Sequence, residues 1–248
     1  MDFFLQVLII FITGVVASFV GASIGSGGII SISVLLFMGL PPQIAISINK
    51  FGAVGMGIGA AIGYYKEKKI IWSEVLPFSV LSIMGGIIGS LILVSLSTNL
   101  VSKILTIFLI LLIPFLFISK NLGTQSQQVS KNKKILGYIL YLLLTILGGF
   151  FGAGAGILFV ILLMYFFGFR IIDSFATEAI PWLLLSISSL LVLIINGFVD
   201  YYLGITIFTS MILGGYLGSK FAVKIGDKYV KGLFILTILA VVIKLLFF

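Results

Sequence analysis

Residues 3–38 read FFLQVLIIFITGVVASFVGASIGSGGIISISVLLFM, an apolar run with no charged side chain, cut in the middle by Gly21-Ala22-Ser23-Ile24-Gly25-Ser26-Gly27-Gly28. A helix that crosses a bilayer needs about 20 apolar residues. The first part of this run is long enough, and the part after the glycines is not. Gly149-Phe150-Phe151-Gly152-Ala153-Gly154-Ala155-Gly156 cuts a second apolar run in the same way. Everything around the two cuts is built alike.

Working outward, apolar segments fall at about 3–20, 28–38, 43–65, 75–96 and 101–118, and again at about 135–150, 156–168, 174–196, 203–219 and 229–248. They are apolar on all faces, without the period-two alternation of barrel strands. In lipid every backbone polar group must be paired internally, so these segments are helices. The chain is 61% hydrophobic and 9% charged, against about 25% charged residues in a soluble domain. The expected class is an all-α polytopic membrane protein embedded in a lipid bilayer. The Met-Asp-Phe-Phe start has no basic region before the apolar run, so the first segment reads as a mature span rather than a signal peptide.

The polar stretch Ser119 to Lys134 divides two repeats, 1–118 and 135–248, as a linker over 119–134. Gly85-Gly86-Ile87-Ile88-Gly89-Ser90 matches Gly214-Gly215-Tyr216-Leu217-Gly218-Ser219 at an offset of 129, which also pairs Gly39 with Gly168 and Trp72 with Tyr201. A shift of one residue pairs Gly21 with Gly149 and Gly28 with Gly156.

Charge sets the topology. Lys66-Glu67-Lys68-Lys69, the linker, and the stretch with Lys220, Lys224, Lys228 and Lys231 are basic; the loops near Ser97-Thr98-Asn99 and Asp200 are not. The net charge of +8 therefore reads as loop topology, not as a nucleic-acid surface. Basic loops belong in the cytoplasm. Both termini then lie outside the cell membrane, and each half makes an odd number of crossings. The expectation is two inverted-topology repeats with Gly-broken or re-entrant helices and six to ten crossings in all. Pro41-Pro42 is expected to end a helix. Arg170 and Asp173 are expected to flank a turn at the membrane interface.

Paired breaks in corresponding segments are the best sequence pointer to a transporter's binding site. A helix restarting in mid-membrane offers free N–H groups and the positive end of its dipole to an anion. The substrate-binding candidates are Ser23, Gly25, Ser26, Gly27 and Gly28 at the first break, with Ser31 nearby, and Gly152, Gly154 and Gly156 at the second. The bland alternative is small-residue helix packing. Asn49-Lys50 and Thr177-Glu178 add polar groups inside otherwise apolar segments, with Glu178 the repeat counterpart of Asn49. Intramembrane charges cost about 2.5–3.5 kcal/mol on insertion scales and usually face a cavity or a partner; the alternative is snorkelling near a helix end. Asn49, Lys50 and Thr177 join the binding candidates, and Glu178 is the candidate proton carrier. Lys50 and Glu178 are expected to reach each other or one shared cavity. Of the in-span prolines, Pro181-Trp182, one turn past Glu178, draws most interest.

Histidine and cysteine are absent, and the sequence shows no phosphate-binding GxxxxGK[ST] loop, no HExxH, no GxSxG, no arginine-rich voltage sensor and no TVGYG filter. Nothing calls for a cofactor, a metal or an enzymatic reaction.

On these residues the sequence resembles the TauE/SafE (sulfite exporter, TSUP) family. The resemblance runs over nearly the whole chain: the first Gly-rich break, Gly39-Leu40-Pro41-Pro42, a small-residue helix ending in Tyr64-Tyr65, the basic loop into Ile70-Ile71-Trp72, and the Gly-Gly-Ile-Ile-Gly-Ser run with its second copy. It implies a secondary transporter in the exporter direction, moving sulfite, an organosulfonate or a related small organic anion by alternating access. The family shows short Ala/Thr/Ser stretches where this chain has Ser47-Ile48-Asn49-Lys50 and Ala176-Thr177-Glu178-Ala179. A cation and an anion thus replace small residues, which opens the substrate beyond sulfonates. The competing readings are a non-transporting scaffold or enzyme partner, and a channel-like anion pore. Polar and charged side chains converging on a cavity between the halves separate a transporter from a scaffold.

Overall fold

The computed structural model describes residues 3–25, 27–97, 100, 122–152 and 154–236. The expected segment 101–118, Ser26, and most of 229–248 lie outside the described residues. Among the described residues all regular structure is helical: α1 (Phe3–Ile24), α2 (Gly27–Phe37), α3 (Pro42–Lys66), α4 (Trp72–Ser95), α5 (Lys131–Phe150), α6 (Ala155–Leu162) running into a π turn (Leu163–Phe167), α7 (Ile171–Ile195), α8 (Tyr201–Ile225) and α9 (227–236). Six of these, α1, α3, α4, α5, α7 and α8, are long and apolar enough to cross a membrane. The 11 residues of α2 reach only about 16 Å, half the hydrocarbon thickness.

Hydropathy alone marks where a helix is apolar, not where it begins. Helix α5 starts at Lys131, inside the expected linker, because the Ser130 hydroxyl accepts the Lys133 N–H at 3.4 Å as an N-cap. Lys220 and Lys224 extend α8 past its apolar part. Pro41-Pro42 does not simply end a helix: α2 has already stopped at Phe37, and Pro42 opens α3 as its first residue, where a missing N–H costs nothing.

The long helices pack through their glycines. Helix α8 lies along α3 and α1, and α4 lies along α7 and α5. A methyl group on Gly86 would come 2.7 Å from the Leu185 carbonyl oxygen; one on Gly215 would come 2.7 Å from that of Met56. The offset of 129 that pairs Gly86 with Gly215 also pairs Met56 with Leu185. The two Gly-Gly-x-x-Gly-Ser runs therefore make the same backbone-to-backbone contact, each against the other half. Lipid tails are as apolar as leucine, so close approach of this kind, rather than water exclusion, holds such helices together.

One end of the bundle gathers the basic residues. Lys66 and Lys220 both lie over the Tyr216 ring, and Lys134 bridges to Glu74 at 3.0 Å. Helices α3 and α8 thus end where α4 and α5 begin. Helix α7 starts at the same end, because the Ile71 N–H donates to the Thr177 hydroxyl at 3.0 Å. There Arg170 and Asp173 pair at 2.8 Å, which holds the guanidinium further toward its charged form, and Asp227 accepts the Ile172 N–H at 3.1 Å.

Candidate functional site

Both glycine-rich stretches interrupt their helices, but over fewer residues than the sequence suggests. Helix α1 runs through Gly21 to Ile24, and Gly27 and Gly28 already belong to α2. Likewise Gly149 is helical and Gly156 lies in α6. The chain reverses at Gly25 in the first break, and at Gly152 and Gly154 in the second, with φ of 89°, 80° and 77°; these left-handed conformations favour glycine. Other glycines serve packing: a methyl group on Gly27 would come 1.9 Å from the Ala17 carbonyl oxygen, so α2 folds back tightly on α1.

The two breaks touch. A methyl group on Gly156 would stand 2.8 Å from the carbonyl oxygen of Gly25. Beside this contact lies a cavity of about 60 Å³, lined by Gly25, Gly28, Gly152, Gly156, Glu178 and Trp182 among others, with room for a small anion or a few waters. The starts of α2 and α6 border it, and the first N–H groups of a helix have no partner within the helix.

Tyr64 from α3 and Glu178 and Trp182 from α7 are polar side chains on the cavity wall, the last two one turn apart. Glu178 is 6% exposed, and the Tyr141 hydroxyl donates to its carboxyl oxygens at 2.8 and 3.1 Å. Tyr141 in turn shares a 3.1 Å hydrogen bond with Ser82 and stacks on Phe78. Trp182 is 8% exposed, and its indole nitrogen has no hydrogen-bond partner among the described residues. Two serine hydroxyls share that condition, Ser47 and Ser186, but neither lines the cavity.

The remaining candidates point elsewhere. Lys50 is fully buried and donates to the Gly148 carbonyl at 2.5 Å; it forms no ion pair with Glu178, because each already has its own partner on α5. Asn49 accepts from the Ser31 hydroxyl at 2.5 Å. The Ser23 hydroxyl donates to the Phe19 carbonyl at 2.6 Å, one turn back on its own helix. Thr177 accepts from Ile71. None of these four lines the cavity; Ser26 lies outside the described residues.

Tyr141 is no candidate on sequence grounds, and Tyr64 enters there only as the end of a small-residue helix in the family resemblance, yet both make hydrogen bonds at the site. A tyrosine inside a leucine-rich span is itself a signal, since a buried phenol needs a partner. Tyr64 donates to the Ala22 carbonyl at 2.5 Å, closing the end of α1.

The profile of the family described as sulfite exporter TauE/SafE matches residues 10–245. The chain is 26% identical to a probable membrane transporter protein of Haemophilus influenzae, over 90% of this chain and 88% of that protein. It is 26% identical to probable membrane transporter protein ORF9 of Sinorhizobium sp, over 96% and 91%, and 28% identical to probable membrane transporter protein YdhB of Bacillus subtilis, over 88% and 89%. No solved structure matches the chain.

Proposed function

The chain belongs to the TauE/SafE family and is a multi-pass membrane transporter, and we propose that it moves a small monovalent anion together with a proton, through the cavity between its two broken helices. One observation carries this reading: the glycine breaks of both halves meet at a single cavity that Glu178 and the unpartnered Trp182 line. The helix starts and the indole N–H supply donors for an anion; the glycines let it approach the backbone.

The same geometry argues for a proton. An ionised Glu178 and an anion in one small cavity repel each other, and a proton on the carboxyl removes the repulsion. Binding of each then favours binding of the other. Sulfite as the monoanion, a short sulfonate or a short carboxylate fits this chemistry.

Alternating access needs two halves that can rock about a shared site. The equivalent cross-half contacts of Gly86 and Gly215 support a two-fold relation between the repeats. The basic end, where α3 finishes and its counterpart α7 begins, supports opposite orientations of the halves, with that end in the cytoplasm of a cell-membrane protein. The test is uptake into proteoliposomes with a panel of small anions, with and without an imposed pH gradient. Flux of at least one anion driven by the gradient, and lost as a gradient response in Glu178→Gln, is the expected result. Gradient-independent flux in the wild type refutes the coupling, and no flux of any anion refutes the transport reading.

A further inference from the structure

Lys50 is a buried charge that the anion site does not use, and its side chain is more deeply buried than those of Glu74 and Lys231. Its side chain is fully buried, and no carboxylate forms an ion pair with it among the described residues. Its ammonium lies 2.5 Å from the Gly148 carbonyl oxygen and 3.4 Å from where a methyl group on Gly152 would stand. Gly148 is two residues from the end of α5, one of the last four carbonyls that have no partner within a helix. The chain then turns away through the left-handed Gly152 and Gly154, so among the described residues no following turn of helix takes up that oxygen. The negative end of the α5 dipole points at the same place.

We propose that Lys50 is a tethered cation, its ammonium filling from within the chain a monovalent-cation site at the carbonyl end of the broken helix α5. In transporters with discontinuous helices, such carbonyl ends are where a coupling sodium ion or proton is held. Here the occupant is covalently attached, and the site needs no metal cation from solution.

The first break shows the contrast. The end of α1 is closed by a neutral donor, the Tyr64 hydroxyl on the Ala22 carbonyl, and the repeat counterpart of Lys50 is Ala179, which brings no charge to that break. Helix α3 therefore closes both broken helices, one with a phenol and one with an ammonium. The site is occupied by charge in one half only. Lys50 is accordingly a cap for α5 rather than a counter-ion for substrate, in keeping with its absence from the cavity wall.

The test reads thermal stability of the purified full-length protein, so it stands whether or not the transport reading does. Lys50→Ala removes the equivalent of n-propylammonium and leaves its space open; Lys50→Met removes the charge and keeps the space filled. Each protein is melted in choline, sodium and n-propylammonium chloride at equal ionic strength. The wild type should melt alike in all three. Lys50→Ala should melt lower in choline and recover by about 5 °C in n-propylammonium, with or without recovery in sodium. Lys50→Met should melt lower and recover in neither. A Lys50→Ala protein obtained only when n-propylammonium is present throughout purification supports the proposal equally. An unresponsive Lys50→Ala, failure to obtain it in any of the three salts, or sodium stabilisation of the wild type overturns it.

Discussion

Gly156 of the second broken helix sits against the carbonyl oxygen of Gly25 in the first, 2.8 Å from where its own side chain would begin. Neither glycine has sequence neighbours that dictate the other's position. Their contact is what turns two separate interruptions into one site.

Gly156→Ala therefore tests the site more than the fold. The added methyl meets backbone, not a flexible side chain, so the breaks must part by several tenths of an ångström. Overpacking of this kind costs about 1–3 kcal/mol. We expect a modest drop in melting temperature and loss of most anion uptake, measured side by side on the same preparation.

Trp182→Phe keeps an aromatic ring against Phe159, whose centroid lies 5.9 Å away, and removes only the indole N–H and part of the ring. If that N–H binds the anion, the variant loses one hydrogen bond of about 1–1.5 kcal/mol. The apparent affinity for substrate should fall about tenfold, with the melting temperature little changed. An unchanged affinity would leave the indole nitrogen without a role in binding.

Tyr141→Phe deprives Glu178 of the hydroxyl at 2.8 Å and Ser82 of its partner. Leaving a buried polar group unsatisfied costs about 1–3 kcal/mol, so the melting temperature should drop by several degrees. Glu178→Gln in the same background should recover part of that loss, because an amide no longer carries a charge to be solvated. Thermal melts of the two single variants and the double variant give the coupling directly.

Gly59 and Gly232 form a pair for testing the packing. A methyl group on Gly59 would come 2.1 Å from the Ile212 carbonyl oxygen on α8, whereas one on Gly232 would meet nothing within 4 Å among the described residues. Gly59→Ala should destabilise by about 3 kcal/mol or more, and Gly232→Ala, on a helix, should be neutral or stabilising by up to about 1 kcal/mol. Equal melting temperatures for the two variants would remove the close α3–α8 contact as a source of stability.

The sequence by itself determined the class of the molecule and its rhythm. Long apolar runs can only be helices in lipid, and that local rule marked the helical spans and the two interruptions. It also marked Glu178, because a carboxyl in an apolar run needs a partner or a cavity wherever the run ends up. The tertiary structure decided which groups share a space. Lys50 and Glu178 are offset by one residue under the repeat, yet they reach Gly148 and Tyr141 respectively and do not meet each other. A side chain reaches only what the packing of neighbouring helices brings within a few ångströms, and that packing depends on glycine contacts between residues more than a hundred positions apart. The same reason hid the partners of Tyr141 and Tyr64: a buried phenol signals that it needs a partner, but its hydroxyl acquires one only when a helix from elsewhere in the chain lies beside it.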